Sequence, residues 1–398
     1  MSALHSSLNF AASEPGSLLD QAIAAGSANL DLRYRYESVE QEGFDATARA
    51  SLLRSRLTLS TANIRGFSAT LEVDNVSSVG AEDYNSTENG KRSFPTIADP
   101  EGTNFNQGYI RYSQDELRIT GGRQRILLGD MRFIGSKPWR QNEQTYDGIR
   151  LQWTGASKLS VDASYVNRVN RIFGPDDGAN PADWRGDSYF LRAGYPLGDD
   201  HSVSAFAYSV DVGGQDGFGA GKTVNNSSDS FGIEYKGEYT GIDLRLAWAT
   251  QTDGGASELD YRSGYYFIEL GGSVNRVGLR AGHEVLGGDN GVGFATPLAN
   301  GHKYNGWADK FLATPGDGLE DTWVSLSGPL GPVALTARYH DFRAEDSSAE
   351  FGSEVDLQAQ WKVSEAFTAT LKAGLFNSDS PDRFDDTDKL FLILQLKL

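Results

Sequence analysis

The sequence predicts an all-β chain: a transmembrane, antiparallel, up-and-down β-barrel of about 18 strands, with short periplasmic turns and long extracellular loops. Three observations predict it. From Ala28 to the last residue, apolar and polar side chains alternate with a period of two, and the polar face carries full charges. Most alternating segments approach the ~9–11 residues that carry a tilted strand across a bilayer. The connections between them are short and long in turn, which a soluble sandwich has no physical reason to produce.

Composition narrows the function classes. The chain has 398 residues, a formal net charge of −18 and no cysteine. It therefore has no disulfide framework and no thiolate metal site. The acidic balance argues against nucleic acid as a partner, because phosphate binding needs a basic face. The longest apolar run, Leu390–Leu394, is far short of the ~18 residues of a membrane helix. That does not exclude a barrel, which spreads its lipid face over every second residue.

Taken in order, residues 1–27 read as an N-terminal periplasmic segment, with Ser17–Ala25 either a short amphipathic helix or a tether. The opening stretch has no basic region followed by an apolar core, so an exported chain is expected to have lost its signal peptide already. Residues 28–398 read as the barrel. Its first segment, Ala28–Glu40, sets Leu30, Leu32, Tyr34 and Tyr36 against Asp31, Arg33, Arg35 and Glu37. The pattern continues in Ala48–Thr61, Gly66–Ser77, Asn104–Ser113, Glu116–Arg123, Tyr146–Thr154, Lys158–Asn170, Asp187–Tyr195 and Ser202–Asp211. It then runs through Asp229–Tyr239, Gly241–Gln251, Glu258–Leu270, Ser273–Leu286, Leu319–Ser327, Gly331–Phe342, Phe351–Val363, Ala366–Asn377 and Asp388–Leu398. Tight joins fall at 114–115, 155–157, 196–201, 240, 271–272, 328–330 and 364–365, and long polar ones at 78–103, 124–145, 171–186, 212–228, 287–318 and 378–387.

A barrel of this size leaves an aqueous lumen, so the charged face is expected to line water. Arg33, Arg35, Arg54, Arg56, Arg111, Arg118, Arg150, Arg192, Arg245, Arg280 and Arg338 are in phase with polar neighbours, as are Glu72, Asp74, Asp147, Asp162, Asp243 and Asp356. Arginine suits a wall that handles carboxylates, because its planar fork donates two bonds at once and stays charged. The plainer reading is that lumen arginines pair with lumen acids and stiffen the wall. The stretch from Gly121 to Trp153 adds Arg123, Arg125, Arg132, Lys137 and Arg140 on one long connection. Strict alternation turns Arg123 and Arg125 outward, and a bulge at Gly121-Gly122 would bring both into the lumen.

Signals for catalysis or metal binding are weak. His5, His201, His283, His302 and His340 have no metal-ligand spacing. The run from Gly217 to Thr223, GFGAGKT, resembles a phosphate loop, but Asp216 replaces its first glycine and no helix pattern follows. The acidic stretches at 176–187 and 379–388 match no EF-hand order and read as solvated surface, with divalent-ion bridging to lipopolysaccharide the lesser alternative. No cofactor, metal site or enzymatic activity is expected.

Two stretches carry a family resemblance. WRQNEQTYDG (residues 139–148) and GFATPLANGHKYNGWADKFLATP (residues 293–315) resemble the alginate-export family of Gram-negative outer-membrane porins. The resemblance implies an 18-stranded barrel in the bacterial outer membrane and, in the family's exporter, an arginine-lined passage for the anionic polysaccharide alginate. The lumen face here mixes acids with arginines, so barrel and channel carry over more readily than alginate itself. The function expected is a monomeric porin for passive diffusion of small anionic or sugar-like solutes, embedded among outer-membrane lipid and lipopolysaccharide. The alternatives are a dedicated exporter of an acidic polysaccharide working with periplasmic partners, an outer-membrane enzyme, and a soluble β-sandwich carbohydrate binder.

Overall fold

The computed structural model describes residues 17–214 and 223–398. The phosphate-loop-like run lies outside them except for Thr223, which begins a 3-10 turn. A seven-residue helix, α1 (Leu18–Ala24), comes first; the Ser17 hydroxyl accepts from the Asp20 amide as its cap.

The strands are β1 (Ser27–Gln41), β2 (Ala48–Ser60), β3 (Phe67–Asp83), β4 (Gly102–Gln114), β5 (Leu117–Gln124), β6 (Thr145–Thr154), β7 (Ser160–Asn170), β8 (Asp183–Pro196), β9 (His201–Val210) and β10 (Ser228–Tyr239). They continue as β11 (Ile242–Asp253), β12 (Arg262–Val274), β13 (Val277–Leu286), β16 (Leu319–Leu330), β17 (Val333–Arg343), β18 (Glu350–Lys362), β19 (Phe367–Ser378) and β20 (Thr387–Lys397). The two-residue strands β14 (Gly288–Asp289) and β15 (Val292–Gly293) form a small hairpin of their own. The remaining 18 strands form one antiparallel sheet, and β1 pairs with both β2 and β20, so the sheet closes on itself. Closure leaves no unpaired edge, which is what lets strands stand in hydrocarbon.

Outward positions are apolar and exposed: Ile110, Ile149, Leu191, Ile268, Leu326 and Leu371 among others. Near the short turns, Phe67, Trp153, Tyr195, Tyr239 and Trp361 point outward, an aromatic girdle at the level of the inner headgroups. The long connections all lie at the opposite end, as the rhythm of the sequence predicts.

One turn differs from its expected place. The β12–β13 hairpin turns at Asn275-Arg276, both in the left-handed region (φ 52° and 71°), and not at Gly271-Gly272. Gly271 instead sits opposite Arg280, and a Cβ there would lie 2.7 Å from the Arg280 guanidinium. That glycine makes room for a side chain inside the barrel.

The lumen also departs from a uniformly wet interior. Connections 125–144 and 287–318 fold inward and bury an apolar core within the barrel. Ile126, Phe133 and Ile134 from the first, and Phe294, Leu298 and Phe311 from the second, join wall residues Phe190, Phe206, Tyr208, Tyr265, Phe342 and Phe376. Phe133 is central: its ring lies 4.9 Å from Phe206, 5.2 Å from Tyr265 and 5.9 Å from Phe294. Connection 84–101 makes a second cluster with β1–β3 through Tyr84, Ile97, Leu52 and Val76.

Removing a fully packed aromatic ring costs about 3–5 kcal/mol. Phe133→Ala is therefore expected to loosen the inward loops while the hydrogen-bonded wall stays closed. Single-channel conductance should rise and become noisier; a trace indistinguishable from wild type would show that the apolar core does not hold the loops.

Candidate functional site

The two inward loops are bonded to one another across the lumen. The Gly135 amide donates to the Leu298 carbonyl, and the Asn300 amide to the Met131 carbonyl. The side-chain NH2 of Gln144 lies within hydrogen-bond distance of the Gly135 and Leu298 carbonyls and the Tyr146 hydroxyl, and the Tyr304 hydroxyl and Lys303 ammonium both donate to the Asp130 carbonyl. The two backbone–backbone bonds need no particular side chain, the others depend on Gln144, Lys303 and Tyr304, and together they give the pair one shared shape.

Ion pairs then fix the pair to the wall. Arg132 donates to Glu284 on β13 at 2.6 Å and to Asn305 at 3.0 Å. Arg140 reaches Asp309 at 3.2 Å, and Lys389 on β20 holds the same carboxylate at 2.9 Å. Asp309 also accepts from His302 at 2.7 Å, and the other ring nitrogen of His302 faces the Lys372 ammonium at 2.7 Å. Burial lowers the His302 pKa well below the ordinary value, so the ring is neutral. Nδ1 therefore carries the proton given to Asp309, and Nε2 accepts from lysine. Trp139 stacks on His302 at 4.0 Å, with Arg35 over the indole at 4.5 Å and Lys372 at 4.1 Å. Burial alone would raise Asp309, but His302, Lys389 and Arg140 hold it well below the usual carboxylate range.

A second cluster joins the first loop to β2–β5. Glu143 accepts from Arg56 at 2.9 Å and Arg125 at 2.6 Å, and Arg125 also reaches Glu72 at 2.5 Å. Arg56 binds Asp74 with two parallel bonds, at 2.7 and 2.6 Å. Burial opposes the charge on Glu143, but Arg56 and Arg125 outweigh it and hold the pKa far below normal.

The arginines singled out from sequence divide into groups. Arg35, Arg54, Arg56, Arg125, Arg140, Arg150, Arg192, Arg245 and Arg280 face inward and have a carboxylate within ion-pair reach; examples are Arg150–Asp162 at 2.5 Å and Arg192–Glu234 at 2.6 Å. Arg245 also contacts Asp130 of the first loop. Arg33, Arg111, Arg118 and Arg338 face inward with no such partner among the described residues. Arg33 donates at 2.8 Å to Gln141 and to the Pro138 carbonyl, and also to the Arg140 carbonyl. Arg111 leans on Thr120 and Tyr109, and Arg338 on the Trp323 ring.

Arg123 is a correction. It keeps strict alternation and points outward, where it binds Asp147 at 2.7 and 2.9 Å and lies over the exposed ring of Phe105. No register shift occurs at Gly121-Gly122. Gly122 (φ 121°) is needed because a Cβ there would come within 2.4 Å of the Gly108 carbonyl. Asp147 is in phase with the outward Ile149 and Trp153, so it too lies outside the lumen; the register shift nearby is on β7, where Asn167 is skipped between Val166 and Arg168. Arg125 does enter the lumen, because it follows the last residue of β5 and belongs to the inward loop.

Beneath the first loop, on the periplasmic side, lies a cavity of about 690 Å³. Arg33, Arg54, Arg56 and Arg125 line it with Asp31, Glu72 and Glu143. Arg54 is 2% exposed and spends one nitrogen on Asp31 at 3.3 Å, while its buried Nε and Nη1 have no hydrogen-bond partner.

A closed barrel with an apolar belt and a charged, loop-filled lumen defines an outer-membrane channel protein of the porin kind. The profile of the family described as "Alginate export" matches residues 26–277, and the chain belongs to that family of the bacterial outer membrane. No curated protein matches it. Among solved structures, Pseudomonas aeruginosa OccK9 (OpdG) is similar with a TM-score of 0.73 at 14% identity, over 95% of this chain and 99% of that one. Acinetobacter baumannii OccAB2 gives 0.74 at 12% identity, over 95% and 99%. Pseudomonas aeruginosa OccK3 (OpdO) gives 0.70 at 11%, over 96% and 97%. At these identities the likeness is one of fold.

The depressed carboxylates give a pH expectation. A carboxylate whose folded pKa is lowered stabilises the folded arrangement above its unfolded value of about 4, and this is lost as pH falls through the lower folded value. The loops should therefore stay seated from neutral pH to about 4 and release only in stronger acid. Asp309→Asn leaves Lys389 buried without its counter-charge, while Arg140 keeps Glu37 and Asp99 at 3.6 and 3.7 Å; the buried, unmatched ammonium is a defect of about 3–5 kcal/mol. Conductance measured against pH should show the variant already open at neutral pH; identical curves for variant and wild type would rule out this cluster as the latch.

Proposed function

We propose that this porin is a passive diffusion channel for small anionic or sugar-like solutes. The arginine side of its lumen attracts them, and transport needs no covalent step. The observation that carries the reading is the cavity under the first loop, where Arg54 keeps two buried donors unspent and Arg33 bonds only uncharged groups. A planar donor fork with spare capacity in a confined, partly dry space suits a carboxylate. The paired arginines serve mainly as wall structure, and the outward cluster of Arg123, Asp147 and Asn170 faces the headgroup level, where outer-leaflet lipopolysaccharide presents phosphates.

Export of an acidic polysaccharide is the second reading, favoured by the family profile. A polymer needs an unbroken passage, whereas here the two loops bond to each other and to the wall across the lumen. Displacing them means breaking several buried ion pairs at once, at a few kcal/mol each. Small solutes that exchange with individual side chains need no such opening.

In a planar bilayer under a salt gradient, the reversal potential should show anion preference. Arg33→Ala and Arg54→Ala together should lower the anion-to-cation permeability ratio by about twofold or more, a modest share of what focused charge does to local ion concentration. Arg123→Ala, on the outer surface, should leave it unchanged. Equal potentials in wild type and the double variant would sink the arginine argument, and no conductance at all would sink the channel.

A further inference from the structure

Two outward arginines near the extracellular strand ends are held by acids. Arg123 is bound by both oxygens of Asp147, and Arg343 has Asp341 at 3.0 Å and Glu350 at 3.9 Å. Arg168 on β7 and Arg185 on β8 are arranged differently. They are cross-strand partners close to the extracellular ends of their strands. The adjacent pair, Val169 and Trp184, is buried in the interior, so both guanidiniums lie on the outer face.

These two cations share one carboxylate. Arg185, with its side chain 67% exposed, donates its Nε to Asp183 at 3.3 Å. Arg168, 33% exposed, meets Asp183 only at 3.9 Å, beyond hydrogen-bond distance. The other acids on the outer face of β6–β8 take other partners. Asp147, opposite Arg168, gives its oxygens to Arg123 and Asn170, and Asp187 accepts from the Tyr165 hydroxyl at 2.6 Å. Like charges directly opposite one another on a sheet face repel, and one acid does not offset two arginines. Both forks keep Nη donors for a further anion.

Below this pair, toward the middle of the bilayer, Tyr165 and Tyr189 open a groove of about 620 Å³ on the lipid face. Ile149, Tyr189, Leu191 and Phe231 stand along it, each about half exposed, and Ala163 and Ala207 form its floor. Ala207 lies in register between Leu191 and Phe231, so a low channel runs between taller neighbours. A surface at this depth meets acyl chains, not water. The fit is to one molecule with an anionic phosphate above and a hydrocarbon chain below. A phosphate monoester carries nearly two charges and three acceptor oxygens, enough for two arginine forks, whereas the diester of a glycerophospholipid carries one charge. We propose that the outer face of β6–β10 is a seat for one molecule of lipid A, the phosphorylated glycolipid anchor of lipopolysaccharide. Its phosphate lies between Arg168 and Arg185, and an acyl chain fills the groove over Ala163 and Ala207. The proposal needs the outer-membrane location and not the channel reading, since no lumen side chain takes part.

The test is native mass spectrometry of the intact, detergent-solubilised protein with added lipid A, phosphate-free lipid A or phosphatidylglycerol, with a chelator present to remove divalent ions. One lipid A should be retained at least about 10-fold more tightly than either of the others, the worth of one charge-assisted bond. Arg168→Gln and Arg185→Gln should each weaken lipid A by roughly 10-fold, and Arg343→Gln should leave it unchanged. Ala207→Leu, which raises the groove floor and keeps both arginines, should weaken it by about 4-fold or more, the equivalent of one buried methylene. Single-channel conductance of each variant, expected to equal that of the wild type, shows the barrel intact. Equal retention of lipid A and phosphatidylglycerol overturns the proposal, as does loss of lipid A in the chelator or unchanged affinity in both arginine variants. A dimer of the chain that lipid A fails to displace assigns the groove to a second copy and also overturns it. Anion preference without lipid A retention removes only this seat, and lipid A retention without anion preference removes only the solute class of the channel.

Discussion

The structure depends on one constraint: a closed wall of 18 strands is too wide for its own side chains to fill. The interior must hold water or be filled by another part of the chain, and here connections 125–144 and 287–318 fill much of it. They can do so because they satisfy each other's backbone. Without the bonds from Gly135 to Leu298 and from Asn300 to Met131, two long polar loops would bring unsatisfied amides into a confined space. The ion pairs and aromatic contacts described above anchor that joint unit.

The anchoring is chemically lopsided. Toward β7–β12 and β16–β19 the loops rest on Phe190, Phe206, Tyr265, Phe342 and Phe376. Toward β1–β5 they rest on Arg33, Arg35, Arg56, Glu72 and Asp99 through hydrogen bonds and ion pairs. Apolar contacts are lost outright when a water or solute intrudes, because nothing polar replaces them. A hydrogen bond from arginine to a carbonyl can be exchanged for one to a solute carboxylate at little net cost. The polar seam is thus the side on which solute and protein can trade partners.

Much of the wall was legible in the sequence, because a strand with a lipid face and a charged lumen face writes its period into every second residue. All 18 barrel strands were found in order, with ends within about four residues except that of β3, which runs to Asp83 where Ser77 was expected. The misplaced turn has a clear cause: Gly271-Gly272 looks like a hairpin, but Asn275-Arg276 takes the left-handed angles and the glycine clears space for Arg280. Arg123 was misassigned because a bulge was placed at Gly121-Gly122, where β5 keeps its register with both neighbours. The apolar interior left a signal that went unused: in β7–β9, Val166, Phe190, Phe206 and Tyr208 break the alternation by making the inner face apolar too. Which loop residue meets which wall residue was not legible. Arg140 and Asp309 meet across 169 positions of sequence through the folding of two loops, and no local period encodes such a contact.

The net charge of −18 and the arginine-rich lumen are compatible because the two sit in different dielectric surroundings. Acids such as Asp176, Asp177, Glu345, Asp346 and Asp382 lie on the outer connections, in open water. There an electrolyte of physiological strength screens a charge within about 8 Å. The lumen arginines act from within a narrow, partly dry space where screening is weaker and each charge reaches farther. A small anion therefore feels the rim only close to it and the interior over a longer path. The sign of the whole molecule says little about the sign of the passage. After the wall has made its own pairs, guanidinium nitrogens without a partner remain on Arg35, Arg54, Arg140, Arg245 and Arg338, and the proposed anion preference rests on Arg54, which keeps two of them beside the cavity below the loops.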